Sequence, residues 1–147
     1  VSYAATGSTN GKDSVINAAV DFAGSDSLLD DADYEAMPDL QMYPATAAAV
    51  VPVINLRSLV NANAKLIVDR STLPLIFLGD IFEWTDPRLL KLQDNATAAL
   101  LLEMADPSIR VVVRNDGSGT TEIFTKALSA FSGDFARRVG GDDVLDW

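Results

Sequence analysis

Ile109-Arg110-Val111-Val112-Val113-Arg114-Asn115-Asp116-Gly117-Ser118-Gly119-Thr120-Thr121 is the most telling stretch of the chain. Ile109 to Val113 reads as a buried strand, and Arg114 to Gly119 as a turn rich in small polar residues. Thr120 to Phe131 then reads as a helix, with Ile123, Phe124, Ala127, Leu128 and Phe131 on one face. The first turn of any helix has N–H groups with no partner inside the helix, and the aligned peptide dipoles put partial positive charge there. Glycines and small hydroxyl residues let an anion approach those N–H groups closely, and Arg114 adds a two-pronged guanidinium. The stretch has the make-up of an oxyanion cradle.

Working outward, two further turns share this design. Val1 to Ala5 is β-prone and leads into Thr6-Gly7-Ser8-Thr9-Asn10-Gly11, which opens a helix expected from about Lys12 to Ala19. Val20 to Ala23 reads as a short strand ending in Gly24-Ser25-Asp26-Ser27. Ala47 to Leu56 reads as a long buried strand, with Pro52 favouring an edge or crossover position. Leu66 to Val68 is a weak strand, and Ser71 is expected to cap a helix running to Phe77. Pro87 suits the first position of a helix over Arg88 to Leu92, and Ala96 to Met104 is helix-prone until Asp106-Pro107 breaks it. Strands alternating with helices predict an α/β fold, and anions bind in such folds beyond the carboxyl ends of the strands. All three turns fall at such positions.

Composition narrows the function. With 147 residues the chain can bury a sizeable core, as one domain or as parts of two lobes. A formal net charge of −10 disfavours binding to nucleic acid or an anionic membrane surface. An acidic protein that takes an anion must do so with local dipoles and one or two placed cations. The chain has neither cysteine nor histidine. It thus lacks thiolate ligands, the usual general base and the commonest transition-metal ligand, so catalysis would have to do without its default machinery. No run of 18 apolar residues occurs, so no membrane insertion is expected. Opening at Val1 without a signal segment or initiator Met is what a processed product, an excised piece or a fragment would show.

Gly7-Ser8…Gly11, Asp21 to Asp26, Val50 to Leu56, Ile76 to Ile81 with Trp84 to Pro87, and Arg114 to Thr121 occur in this order. Together they resemble the periplasmic phosphate-binding proteins of Pst-type ABC uptake systems and their secreted relatives. The likeness covers nearly the whole chain and matches the middle of the family. It implies a two-lobed α/β fold of the type II periplasmic binding protein kind, incomplete here, with phosphate dehydrated in the cleft between lobes. Residues 1–49 would be part of the first lobe; residues 50–147 would be the crossover strand and most of the second.

Carried over residue by residue, the resemblance implies Ser8 and Asp26 as phosphate ligands from the first lobe. Arg114, Ser118, Gly119 and Thr120 would be ligands from the second, and Asp116 would hold the arginine fork in place. Asp26 would accept the anion's own proton, since a buried carboxylate beside a dianion makes sense only with a hydrogen between them. Phosphate brings that hydrogen and sulfate does not. The implied partners are inorganic phosphate and either an ABC permease or a second polypeptide completing the lobes. The implied setting is periplasmic or extracellular, and no cofactor or metal is implied. The family's earlier Thr-Phe loop has no counterpart before Val1, and family members run past the position of Trp147. A structural or interaction module that has lost phosphate therefore stands as the alternative to phosphate recognition, and an enzyme of phosphate esters or anhydrides ranks last.

Among the remaining features, Trp84 and Phe82 read as core or hinge packing. The acidic run Asp30 to Glu35 lacks the oxygen-ligand spacing and glycine of a calcium loop, so it reads as a solvated face. Asn95-Ala96-Thr97 is a glycosylation sequon whose meaning depends on the source.

Overall fold

The computed structural model describes residues 2–142. Val1, with which the first expected strand opens, lies outside them. Eight helices are present among the described residues. They are α1 (Ser8–Ile16), α2 (Asp31–Ala36), α3 (Arg57–Asn61), α4 (Thr72–Phe77), α5 (Pro87–Leu90), α6 (Asn95–Leu102), α7 (Gly119–Phe131) and α8 (Gly133–Arg138). The chain divides into two compact units. Among the described residues, unit 1 gathers 2–50, 113–127 and 141–142, and unit 2 gathers 51–112 and 128–140.

Where the sequence puts a helix, one is found close by, with instructive shifts, whereas α3 and α8 form where no helix was expected. α1 begins four residues before Lys12, because Gly7 rather than Gly11 takes the positive φ, of 90°, that turns the chain into the helix. At α4 the cap is not Ser71, whose side chain makes no cap bond. Asp69 takes over: its Oδ1 accepts from the N–H groups of Ser71 and Thr72 at 3.1 and 2.8 Å and from the Thr72 hydroxyl at 2.8 Å. These donors hold the Asp69 carboxyl below the usual carboxylate range, the Thr72 N–H contributing most. Pro87 opens α5 behind Asp86, and Asp94 caps α6 by accepting from the Thr97 N–H at 2.6 Å.

The expected strands are a different matter. The valine-rich runs over 47–56 and 109–113 and the segments over 20–23 and 66–68 are extended or bent, without a ladder. Among the described residues there is one antiparallel bridge, Glu83 with Ser108. It is flanked by hydrogen bonds from the Trp84 N–H to the Pro107 carbonyl and from the Ile109 N–H to the Phe82 carbonyl, each 2.8 Å. Apolar, β-branched sequence favours an extended backbone, but a strand is stabilised by the partner it pairs with. No second described segment lies in register with these runs. Val53 and Val112 are accordingly 93% and 90% exposed rather than buried.

Unit 2 holds aliphatic packing. Leu56, Leu59 and Leu101 form one buried cluster, and Ile76, Ile81 and Leu89 form another. Trp84 packs against both, in keeping with a core role, while Phe82 is exposed. Arg138 donates to both carboxylate oxygens of Asp80 and to the Leu78 carbonyl, tying α8 to the turn after α4. Unit 1 is built otherwise. Among the described residues, its buried ones are Ser8, Ser27, Ser118, Gly119 and Thr125, all small or polar. On α7 the buried positions are Gly119, Thr125 and Leu128, whereas Ile123 and Phe131 are exposed. The expected apolar face is thus rotated toward the Thr125 hydroxyl, which donates to the carbonyls of Thr121 and Glu122.

Candidate anion-binding site

Burying five small or polar residues in one unit is unfavourable unless their groups are satisfied, and the contacts that satisfy them draw three turns together. Ser8, the first residue of α1, accepts the Asp26 N–H on its Oγ at 3.1 Å. From 94 residues further along, the Thr120 hydroxyl donates to Asp26 Oδ2 at 2.8 Å. Ser118 Oγ accepts the Thr121 N–H at 3.3 Å, closing the first turn of α7. A neighbouring pair of serines shapes the 25–27 turn, with Ser25 Oγ donating to the Ser27 carbonyl at 2.8 Å.

The turns approach more closely than side chains would allow. A Cβ placed on Gly119 would lie 2.6 Å from Ser8 Oγ, 2.7 Å from the Ser27 nitrogen and 3.0 Å from Asp26 Cβ. A Cβ on Gly7 would lie 2.7 Å from the Gly117 carbonyl oxygen. Glycine is what lets the starts of α1 and α7 meet. Two sets of first-turn N–H groups are thereby brought to one place, and their partial positive charges add. Oxygen-rich anions are stabilised by this kind of convergence.

Arg114 stands beside it. Its Nε donates to Asp116 Oδ1 at 2.7 Å and its Nη2 donates to Oδ2, a forked pair. The hydrogen bond from Arg114 holds the Asp116 carboxyl below its usual range, and Asp116 raises the guanidinium in turn. Both side chains are about half exposed, so the pair orients the arginine more than it stabilises the fold. Nη1 takes no part in this fork. Gly7 lies close by, since its added Cβ would be 3.5 Å from Arg114 Nη2.

Ser8, Asp26, Arg114, Asp116, Ser118, Gly119 and Thr120 therefore all lie in unit 1. The sequence reading shared them between two lobes; the structure places both groups in one compact unit, because the glycine contacts pack α7 onto the 7–9 and 26–27 turns. Asp26, expected to be buried, is exposed. Its N–H and one carboxylate oxygen are engaged from two directions, and these bonds rather than burial fix its position. Ser27 and Thr9 were missed. They lie against Gly119 and Gly117 respectively, and the hint in the sequence is that they are small residues inside turns already marked as polar.

Behind the site, Lys12 on α1 reaches Asp33 on α2 at 2.9 Å, both side chains largely buried. Burial opposes the lysine's charge, but Asp33, with Asp30 and Glu122, outweighs it and raises the ammonium above its ordinary range. Asp30 and Asp33 also cap α2 reciprocally. Asp30 and Asp33 are thus engaged in capping and, for Asp33, with Lys12, and the described residues contain no cluster of carboxylates arranged to hold a metal.

Comparison with known proteins identifies the family. The profile of the PBP superfamily domain matches residues 1–139. The chain belongs to the PBP superfamily. Along all 147 residues this PBP domain is 35% identical to the phosphate-binding protein PstS of Pasteurella multocida and 36% identical to that of Haemophilus influenzae. It covers 40% and 41% of those proteins. Over 105 residues, 71% of the chain, it is 37% identical to PstS of Methanocaldococcus jannaschii and covers 25% of that protein. A putative serine/threonine-protein kinase/receptor of Acanthamoeba polyphaga mimivirus is 30% identical over 118 residues, 7% of its own length. The resemblance read from the motifs is thereby borne out. This PBP domain spans about 40% of the length of its bacterial relatives named here. None of its described helices is long and apolar enough to cross a membrane.

Proposed function

We propose that this chain binds inorganic phosphate in unit 1, as recognition without chemistry. The observation that carries the reading is the meeting of the α1 and α7 starts, with Ser8, Asp26, Ser118, Gly119 and Thr120 gathered there and Arg114 held beside them by Asp116. In this reading first-turn N–H groups and the Ser8, Ser118 and Thr120 hydroxyls donate to the anion. The lone pairs of Ser8 and Ser118 already accept backbone N–H groups, so their hydroxyl hydrogens point elsewhere and are the ones offered. Arg114 supplies the cation. Asp26 accepts the proton of the monohydrogen anion, its Thr120 contact passing to the ligand.

The relatives' printed name, phosphate-binding protein, supports the ligand. We read the two compact units as parts of the two lobes of an α/β periplasmic binding protein-like fold, residue 50 marking the first passage between them. The same reading places the protein in the periplasm or outside the cell, delivering phosphate to an ABC permease, with no catalytic step. Similarity to a segment of a viral kinase/receptor favours one second reading, a sensing or interaction module that keeps the fold without taking phosphate. Calorimetric titration with phosphate separates the two: a single saturable site supports the first, and absence of binding leaves the second.

A further inference from the structure

We propose that Thr9 is a positioning residue of the anion site, its side chain seated on the Cα of Gly117 so as to set where the Asp116–Gly117–Ser118 peptides stand over the start of α1. The inference rests on the phosphate reading above. A Cβ added to Gly117 would lie 2.5 Å from Thr9 Cβ, 3.1 Å from its Cγ2 and still nearer its Oγ1. Thr9 thus occupies the volume that any side chain at 117 would need. The Gly117 carbonyl oxygen is in turn close enough to Gly7 to exclude a Cβ there, at 2.7 Å. Gly117 is therefore in contact with both the residue before α1 and the second residue of α1, across more than a hundred positions of sequence.

The two peptide bonds that meet at Gly117 carry the groups that matter. One leads to Asp116, whose carboxylate receives the Arg114 fork, and the other to Ser118, whose Oγ receives the Thr121 N–H at the start of α7. Displacing Gly117 moves the arginine's anchor and the α7 start together relative to Ser8. In this scheme Thr9 acts by the volume that it fills over Gly117. Threonine at 9 and glycine at 117 are matched, one filling what the other leaves empty. Steric matching of this kind is reciprocal, so a loss caused by enlarging one member is recovered by shrinking the other.

The test is a double-variant cycle on the full chain, read by phosphate calorimetry and by thermal unfolding. Gly117→Ala should weaken phosphate binding by about tenfold or more, Thr9→Gly by less, and the pair together should bind several-fold more tightly than Gly117→Ala alone. Gly117→Ala binding phosphate like the parent overturns the inference, as does a double variant no better than Gly117→Ala. So does a loss confined to the unfolding midpoint with affinity intact, which would mark Thr9 as packing only. A parent chain that takes no phosphate removes the phosphate reading and this inference together, an outcome distinct from the others.

Discussion

Adding one methyl group at Gly119 probes the meeting point of the three turns directly. An alanine Cβ there would lie 2.6 Å from Ser8 Oγ, 2.7 Å from the Ser27 nitrogen and 3.0 Å from Asp26 Cβ. Ordinary van der Waals contact needs most of another ångström in each direction. Ser8 can rotate its hydroxyl away, but the Ser27 nitrogen is backbone and Asp26 Cβ is fixed to it, so the chain itself must move. Overpacking a closely fitted position costs about 1–3 kcal/mol. For a chain of this size that lowers the thermal midpoint by roughly 3–10 °C. The same shift separates α7 from Ser8 and Asp26, so phosphate affinity should fall as well. Gly24→Ala is the matched control: nothing lies within 4 Å of an added Cβ there, in the same unit and next to the 25–27 turn. Both variants are measured by differential scanning calorimetry and phosphate titration. Equal midpoints and equal affinities for the two alanine variants would refute the close approach of α1 and α7.

Arg114→Ala should weaken phosphate binding by roughly tenfold or more through loss of charge-assisted hydrogen bonds, with little change in the unfolding midpoint because the Arg114–Asp116 pair is half exposed; titration and calorimetry read the two effects separately. Asp26→Asn keeps the side chain's size but removes its charge and adds a donor, so it should lose selectivity more than affinity and admit sulfate in competition titrations. Asp69 gives a pH prediction. Its folded-state pKa is depressed, so its contribution is complete above the usual carboxylate range and is lost as pH falls through the depressed value. Asp69→Asn should therefore lower the unfolding midpoint at neutral pH and flatten its acid limb, and a parent-like pH profile would argue against the cap.

Most helices were legible because their signals are local. Pro87 at the start of α5 and the polar start of α7 each specify an end without reference to the rest of the chain, whereas α3 and α8 carry no such signal that was read. The seven residues proposed for the site came from the family resemblance, set on turns whose hydroxyls, glycines and arginine can be read in place, and the structure gathers all seven in unit 1. What could not be read was pairing. Ala47 to Leu56, Pro52 apart, and Ile109 to Val113 are apolar and β-prone, yet a ladder is a property of two segments, and neither segment specifies the other. Nor could the sequence place Ser8 against Gly119, because that contact depends on what glycine leaves out. Asp69 in place of Ser71 as the cap of α4 shows the smaller version of the problem: several residues able to cap stood within three positions, and geometry chose among them.

The central claim is that two helix starts, Arg114 and Asp26 form a site for an anion that carries its own proton. Isothermal titration of the intact chain with inorganic phosphate at neutral pH, repeated in excess sulfate, tests it most directly. The account predicts a single saturable site for phosphate whose affinity sulfate leaves almost unchanged. Absence of phosphate binding, or sulfate displacing phosphate at comparable concentration, would contradict it.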